Sequence, residues 1–181
     1  MQSKSLHTSA LILSAMLGCA TIPSHAQTIG NGPYYATPSW DQTLAVNTRF
    51  IVLANMGGDA VLDRETGLVW ERAPRGPSSS WSDASGYCVN LSKGGRQGWR
   101  LPTIQELASL IDPTQSPSVP SGAPLLPFQA FYWSASTQAG DTTRAWYALF
   151  NHGNIGTEAK SRNDGVFIPW CVRGGNGVDP Q

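Results

Sequence analysis

Four tryptophans sit in short segments strung along the chain in one order: Thr66-Gly67-Leu68-Val69-Trp70, Trp99-Arg100-Leu101-Pro102-Thr103, Tyr132-Trp133-Ser134 and Trp170-Cys171-Val172-Arg173. An indole carries more apolar area than any other side chain, so any fold of this sequence must give four of them a place. Two uses compete. They can pack as core and corner residues, or they can form an exposed surface on which the C–H face of a pyranose stacks. Packing is the favoured expectation, because a domain of this size needs such volume inside.

The first 26 residues read as a secretory signal. Lys4 supplies a positive start, 10–18 is a short apolar run, and Ser24-His25-Ala26 is a small-residue cleavage site that would leave Gln27 at the new N-terminus. That run is about half of the roughly 20 residues that a spanning helix needs, so no transmembrane segment is expected in the mature chain. A competing reading takes Met16-Leu17-Gly18-Cys19 as a lipoprotein site with Cys19 acylated. Either way the expected location is exported, periplasmic or extracellular, with lipid anchoring at Cys19 as the alternative.

Export removes Cys19 and leaves Cys88 and Cys171. Two cysteines in an oxidising compartment are most simply one disulfide. Closing a loop of about 84 residues would contribute roughly 4 to 5 kcal/mol by chain entropy. Two free buried thiols are the alternative.

The remaining chain fits one domain, expected at 49–175, with a polar lead-in at 27–48 and a tail at 176–181. The full chain carries 12 basic and 12 acidic residues. Without a cationic excess there is no electrostatic case for nucleic acid or for an anionic membrane surface. The charged fraction of only 13%, with abundant glycine and proline, suits long ordered loops and few regular helices.

The segments 49–53, 60–62 and 68–70 are rich in β-formers and separated by turn residues, which predicts two or three short strands. Ser80 can cap a helix whose apolar positions Trp81, Ala84, Cys88 and Leu91 share a face, with Gly94 and Gly95 as its stop. Thr103 and Glu106 form a capping box for a second helix with face Ile104, Leu107, Leu110 and Ile111, ended by Pro113. The five prolines in 112–127 predict an irregular surface loop. From Phe131 the period is two, predicting antiparallel strands at 132–134, 144–150 and 166–173, with a hairpin turn at 151–154. Pro169 should bulge the last strand or place it at an edge.

Taken in order, Asp63, Thr66 to Trp70, Trp81 with Ala84 and Cys88, Gly98 to Thr103, Glu106-Leu107, Tyr132-Trp133-Ser134, Ala145-Trp146 and Cys171-Val172-Arg173 resemble the Lcl C-terminal domain family over about 49–175. That family occurs in exported bacterial proteins and takes its name from the C-terminal part of a collagen-like adhesin. The resemblance implies an α+β, C-type lectin-like fold, also similar to the formylglycine-generating sulfatase-activating enzymes: two helices, a small twisted antiparallel sheet and long irregular loops. A disulfide from first helix to last strand is typical there, and Cys88 with Cys171 would reproduce it. The Glu-Pro-Asn, Gln-Pro-Asp and Trp-Asn-Asp segments of Ca²⁺-dependent lectins do not occur, nor do spare reactive cysteines, nor a Gly-X-Y stalk.

The ligand-binding candidates are Arg72, Arg75, Lys93, Arg96 and Arg100, in two loops flanking the first predicted helix, where they could meet as a basic patch for sulfated or carboxylated polysaccharide. Scattered solvated charge is the alternative, and Arg100 has a second reading as a brace for loop carbonyls beside Pro102. His152 in a turn is expected to be exposed. Asp141, Asn163 and Asp164 lack calcium-loop spacing, and no Gly-X-Ser-X-Gly, His-Glu-X-X-His or phosphate loop occurs, so no metal, cofactor or catalytic residue is assigned. The expected activity is non-catalytic binding of a glycan or an envelope or matrix protein, with a homo-oligomer conceivable. The rivals are an enzyme on the formylglycine-generating architecture and a structural envelope module that binds only protein.

Overall fold

Arg49 closes the first described turn of helix instead of opening a strand. The computed structural model describes residues 44–127 and 130–174, all within one unit of the chain. The signal segment with Cys19, Ala26 and Gln27, most of the lead-in, and the tail at 176–181 lie outside the described residues. Helix α1 (Val46–Arg49) leads into a meander of β1 (Phe50–Val52), β2 (Ala60–Asp63) and β3 (Leu68–Glu71), antiparallel throughout. Of the two or three short strands predicted here, three are present. Arg49 differs because its guanidinium is needed inside, where Nε and Nη2 fork onto Asp63 at 2.9 and 2.8 Å.

Helix α2 (Trp81–Asn90) starts where predicted, with the Ser80 hydroxyl accepting from the Asp83 N–H at 3.3 Å. Its end does not match. Leu91 already turns extended, so Gly94 and Gly95 are not the stop. They shape the following turn, in which Lys93 and Arg96 exchange backbone hydrogen bonds. Gly94 has φ +59°, and a Cβ there would lie 2.6 Å from Met56 Cβ, so this position needs glycine on two counts.

After β4 (Trp99–Arg100), helix α3 (Ile104–Ala108) carries the predicted capping box. It is one turn shorter than predicted, because the backbone after Ser109 tightens into successive three-residue turns at Leu110 and Ile111. Leu107 and Leu110 are buried, while Ile104 faces partly outward. The proline-rich segment 112–127 has no regular element, as expected, yet it is not wholly superficial: Ser118, Val119 and Leu125 are buried.

The C-terminal half builds β5 (Phe131–Gln138), β6 (Asp141–Leu149), β7 (Asn154–Ala159), β8 (Phe167–Ile168) and β9 (Val172–Arg173). Among the described residues the strands form two sheets, ordered β1-β2-β3-β9-β4 and β7-β6-β5-β8. This corrects the single small antiparallel sheet: sheet content is substantial, and β8 runs parallel to β5. The predicted last strand is in fact two. Pro169 cannot continue a ladder, and across Pro169-Trp170-Cys171 the chain leaves the second sheet and enters the first between β3 and β4.

The interior has two clusters. One gathers Trp70, Trp170, Tyr132, Phe150, Leu107 and Leu110; the other gathers Trp99, Trp133, Phe167, Ala84 and both cysteines. All four segment tryptophans are at most 2% exposed, which settles their use as packing and removes the sugar-stacking reading for them. Cys88 and Cys171 form a disulfide with both residues fully buried, tying α2 to the crossover.

Charge is also buried. Arg49, Asp63 and Glu65 are each 1% exposed or less. Besides its fork on Asp63, Arg49 donates to Ser109 O at 3.0 Å and sets Nη1 3.0 Å from Glu65 Oε2, an ion pair without hydrogen-bond alignment. Glu65 Oε1 accepts from the Leu44 N–H, so this cluster also holds the first described residue. Removing one member of such a set strands the others without compensation. Arg49→Met is expected to lower unfolding free energy by about 3–5 kcal/mol in urea titration; a loss below about 1 kcal/mol would show that the two carboxylates are not desolvated as described.

Candidate functional site

Three of the five predicted cationic residues share one recess. Arg72, Arg75 and Lys93 line a depression of about 330 Å³ together with Gly58, Asp59, Ala73 and Leu126. Its walls come from the turn before β2, the extended segment after β3, the loop after α2 and the end of the proline-rich segment. Arg72 joins two of these walls, donating from Nε to Pro124 O at 3.3 Å and from Nη1 to Gly58 O at 3.4 Å. Its own carbonyl accepts from the Leu126 N–H at 2.7 Å, and its N–H donates to Asp59 O at 2.9 Å. Prolines thus position the recess by stiffening the segment that Arg72 grips.

Lys93 is held from beneath. Its Nζ donates to Glu71 Oε1 at 2.8 Å and to Ala73 O at 3.2 Å. Glu71 is fully buried, and its other oxygen accepts from the Cys171 N–H at 2.8 Å. The recess is therefore connected through one carboxylate to the disulfide. Glu71 was not singled out in the sequence, although a carboxylate directly after Leu68-Val69-Trp70 in a buried strand is the available signal: such a charge needs a partner.

The other two cations are placed differently. Arg96 is exposed on the turn that begins at Lys93 and is not among the residues lining the recess. Arg100 forks onto Glu106 at 2.8 and 2.7 Å and also donates to Leu101 O and Gly174 O. Glu106 is the capping-box residue of α3, whose Oε2 accepts from the Thr103 N–H at 2.8 Å, so Arg100 braces that cap.

Tyr87 lies on α2, half-buried beside the same charges. Its phenol pKa is raised above the usual value, first by burial and then by the Glu71 carboxylate, against a smaller opposing effect of Lys93. Asp141 is held low by the Thr143 hydroxyl and N–H, and Asp164 by Arg162, so each carboxylate is engaged locally. His152 is exposed. Among the described residues no group of three or more His, Cys, Asp or Glu could hold a metal ion, and no helix is long and apolar enough to cross a membrane.

A second depression, of about 210 Å³, lies between α3 and the second sheet and is lined by Ile104, Gln105, Ala108, Trp146 and Ile155. Trp146 is thus a half-exposed indole on the surface. Trp81, the other partly exposed one described, donates to Ser134 O at 2.7 Å and has Lys160 Nζ 4.4 Å from its ring centroid.

The raised Tyr87 pKa has a signed consequence. A group whose folded pKa lies above its unfolded value contributes stability that is complete below the unfolded pKa, ~10, and is lost as pH rises through the folded one. Urea titrations of wild type and Tyr87→Phe should therefore give a constant stability difference at pH 7–9, and wild type should lose more than the variant above about pH 10. Parallel curves through that range would contradict the burial of the phenol against Glu71.

The disulfide suits an exported, oxidising compartment. A search of curated proteins finds no match to this chain. Among protein families, the Lcl C-terminal domain matches residues 59–173, which take in β2 to β9, the disulfide, every residue of the recess except Gly58, and both α2 and α3. With the greater part of its length matched, the chain belongs to the Lcl C-terminal domain family.

Proposed function

We propose that this protein is an exported, non-catalytic binding module that takes an acidic glycan, or an acidic group of another envelope or matrix component, into the recess of Arg72, Arg75 and Lys93. The observation that carries this reading is the convergence of three cations from separate loops on one open depression. Lys93 has three N–H donors and two are used internally, and Arg72 has five with two used, so both keep donors for a ligand. Arg96, exposed beside Lys93, extends the positive surface at the rim. The scaffold is C-type lectin-like in this reading, in keeping with few helices, two sheets, long loops and a disulfide from a helix to the crossover just before the last strand. The protein acts in the periplasm or outside the cell, by adhesion to the ligand-bearing surface.

A second reading, a module that binds only protein, is favoured by one feature: the apolar groove of Ile104, Ala108, Trp146 and Ile155.

Screening the disulfide-intact protein on a glycan array at low and physiological salt tests the first reading. Binding is expected to acidic glycans, to weaken as salt screens the charges, and to disappear in the Arg75→Glu, Arg96→Glu double variant. Undiminished binding by that variant, or silence across the array, would count against the recess and direct attention to the groove.

A further inference from the structure

We propose that the outer edge of β7 takes a short extended segment of another protein, laid antiparallel, with a large apolar side chain in the groove beside α3 and an acidic residue at Arg144. This site shares no residue with the recess, so the two stand or fall separately.

β7 is an edge strand of its sheet, and two bonds fix which of its backbone groups face outward. The Trp146 carbonyl accepts from the Ser134 hydroxyl at 2.8 Å, on the β5 side of β6. Its cross-strand partner Thr157 therefore turns its own N–H and carbonyl away from the ladder. The Lys160 N–H donates to Thr143 O at 2.9 Å, which puts Ile155, Thr157 and Ala159 in the same outward phase.

Half of that outward row is closed by the chain itself. Thr157 O accepts from Arg144 Nη2 at 2.6 Å, the Ala159 N–H donates to Glu158 Oε1 at 2.8 Å, and Ala159 O accepts from the Arg162 N–H at 2.9 Å. Such covering keeps an edge from indiscriminate pairing. Among the described residues, the Ile155 N–H, Ile155 O and the Thr157 N–H make no hydrogen bond.

The surface beside these three groups is apolar. Ile155 is 42% exposed and shares its face of the sheet with Trp146, while Ile104 and Ala108 close the groove of about 210 Å³ from α3. An antiparallel segment satisfies all three open groups. Its residue opposite Ile155 exchanges both bonds, and its residue two positions earlier accepts from the Thr157 N–H. The first of these turns its side chain to the groove face. The second comes alongside Arg144, whose hydrogen bonds go to the carbonyl and hydroxyl of Thr157 and which makes no ion pair among the described residues. Asp141 is engaged by Thr143, and Glu158 by Ala159 and Arg162, so an acidic residue in the segment complements this cation.

A second copy of β7 fits less well. Two such edges centred on Ile155 make two bonds, because Gly153, with φ +68°, has left the strand conformation. Centred on Gly156 they again make two, because Thr157 O is held by Arg144.

Nuclear magnetic resonance titration of the disulfide-intact protein with blocked hexapeptides Thr-Asp-Thr-X-Thr-Ser, X being Leu, Ile, Phe or Trp, tests the proposal. At least one peptide should bind with Kd below about 1 mM, shift the Trp146 indole, and slow hydrogen exchange at the Ile155 and Thr157 amides, which is fast in the free protein. Replacing X by Ala should weaken binding about tenfold, and N-methylating X about fivefold. Exchanging the peptide Asp for Lys should weaken binding to wild type but not to Arg144→Gln. Thr157→Pro removes an outward N–H at an edge position and, with thermal unfolding unchanged, should bind about fivefold more weakly. Silence of all four peptides at about 1 mM, or undiminished binding after N-methylation, would overturn the proposal. Slow exchange at Ile155 and Thr157 in the free protein would overturn it too: with concentration-dependent dimerisation in sedimentation the occupant is a second copy, and in a monomer it is the chain's own N-terminal segment.

Discussion

Between Ile168 and Val172 the chain passes from one sheet to the other, and two of the three residues that carry it across, Trp170 and Cys171, are fastened by Glu71. The Glu71 N–H donates to Cys171 O, its carboxylate accepts from the Cys171 N–H, and its carbonyl accepts from the Trp170 indole at 2.9 Å. Trp170 then packs in one core cluster against Trp70, Tyr132 and Phe150, while its neighbour Cys171 sits in the other cluster, bonded to α2. Adjacent side chains of an extended segment point to opposite sides, and here the two sides are two cores. Both cores therefore depend on one short crossover.

The same carboxylate explains why the recess stands where it does. A buried charge is stable only with partners, and Glu71 takes two: a backbone N–H beside the disulfide and the ammonium of Lys93. Lys93 reaches it because α2 ends at Asn90, and the turn made by Gly94 and Gly95 brings the chain back against Met56. The recess is thus built on the fastening of the crossover. A comparable buried set, Arg49 with Asp63 and Glu65, secures the opposite end of the first sheet to Ser109 after α3.

Local chemistry was the legible part of this sequence. Ser80 and Thr103 mark helix starts because caps are decided within four residues, and both are where expected. The tryptophans are buried as their volume demands, and Pro169 interrupts a strand as a residue without an N–H must. What the interruption means was not legible: whether the chain bulges or changes sheets depends on Glu71, nearly a hundred positions earlier. Helix ends misled for a related reason. Leu91 leaves the helix for tertiary packing, although two glycines further on look like a stop. Of the five cations, Arg100 separates from Arg72, Arg75 and Lys93 because Glu106, a capping residue, also serves as its partner. Asp59, Glu71 and Leu126 carried no motif, since each matters only through what the fold sets opposite it.

The dependence of both cores on the crossover is tested most directly by native-state hydrogen exchange at the Cys171 and Val172 amides. If the Glu71 fastening and the disulfide make this segment the last to open, both amides exchange only through global unfolding. Their opening free energies then equal that of the whole domain and fall with urea at the global slope. Exchange through a local, urea-independent opening at either amide would contradict the account, because the crossover would then come free while the two sheets stay folded.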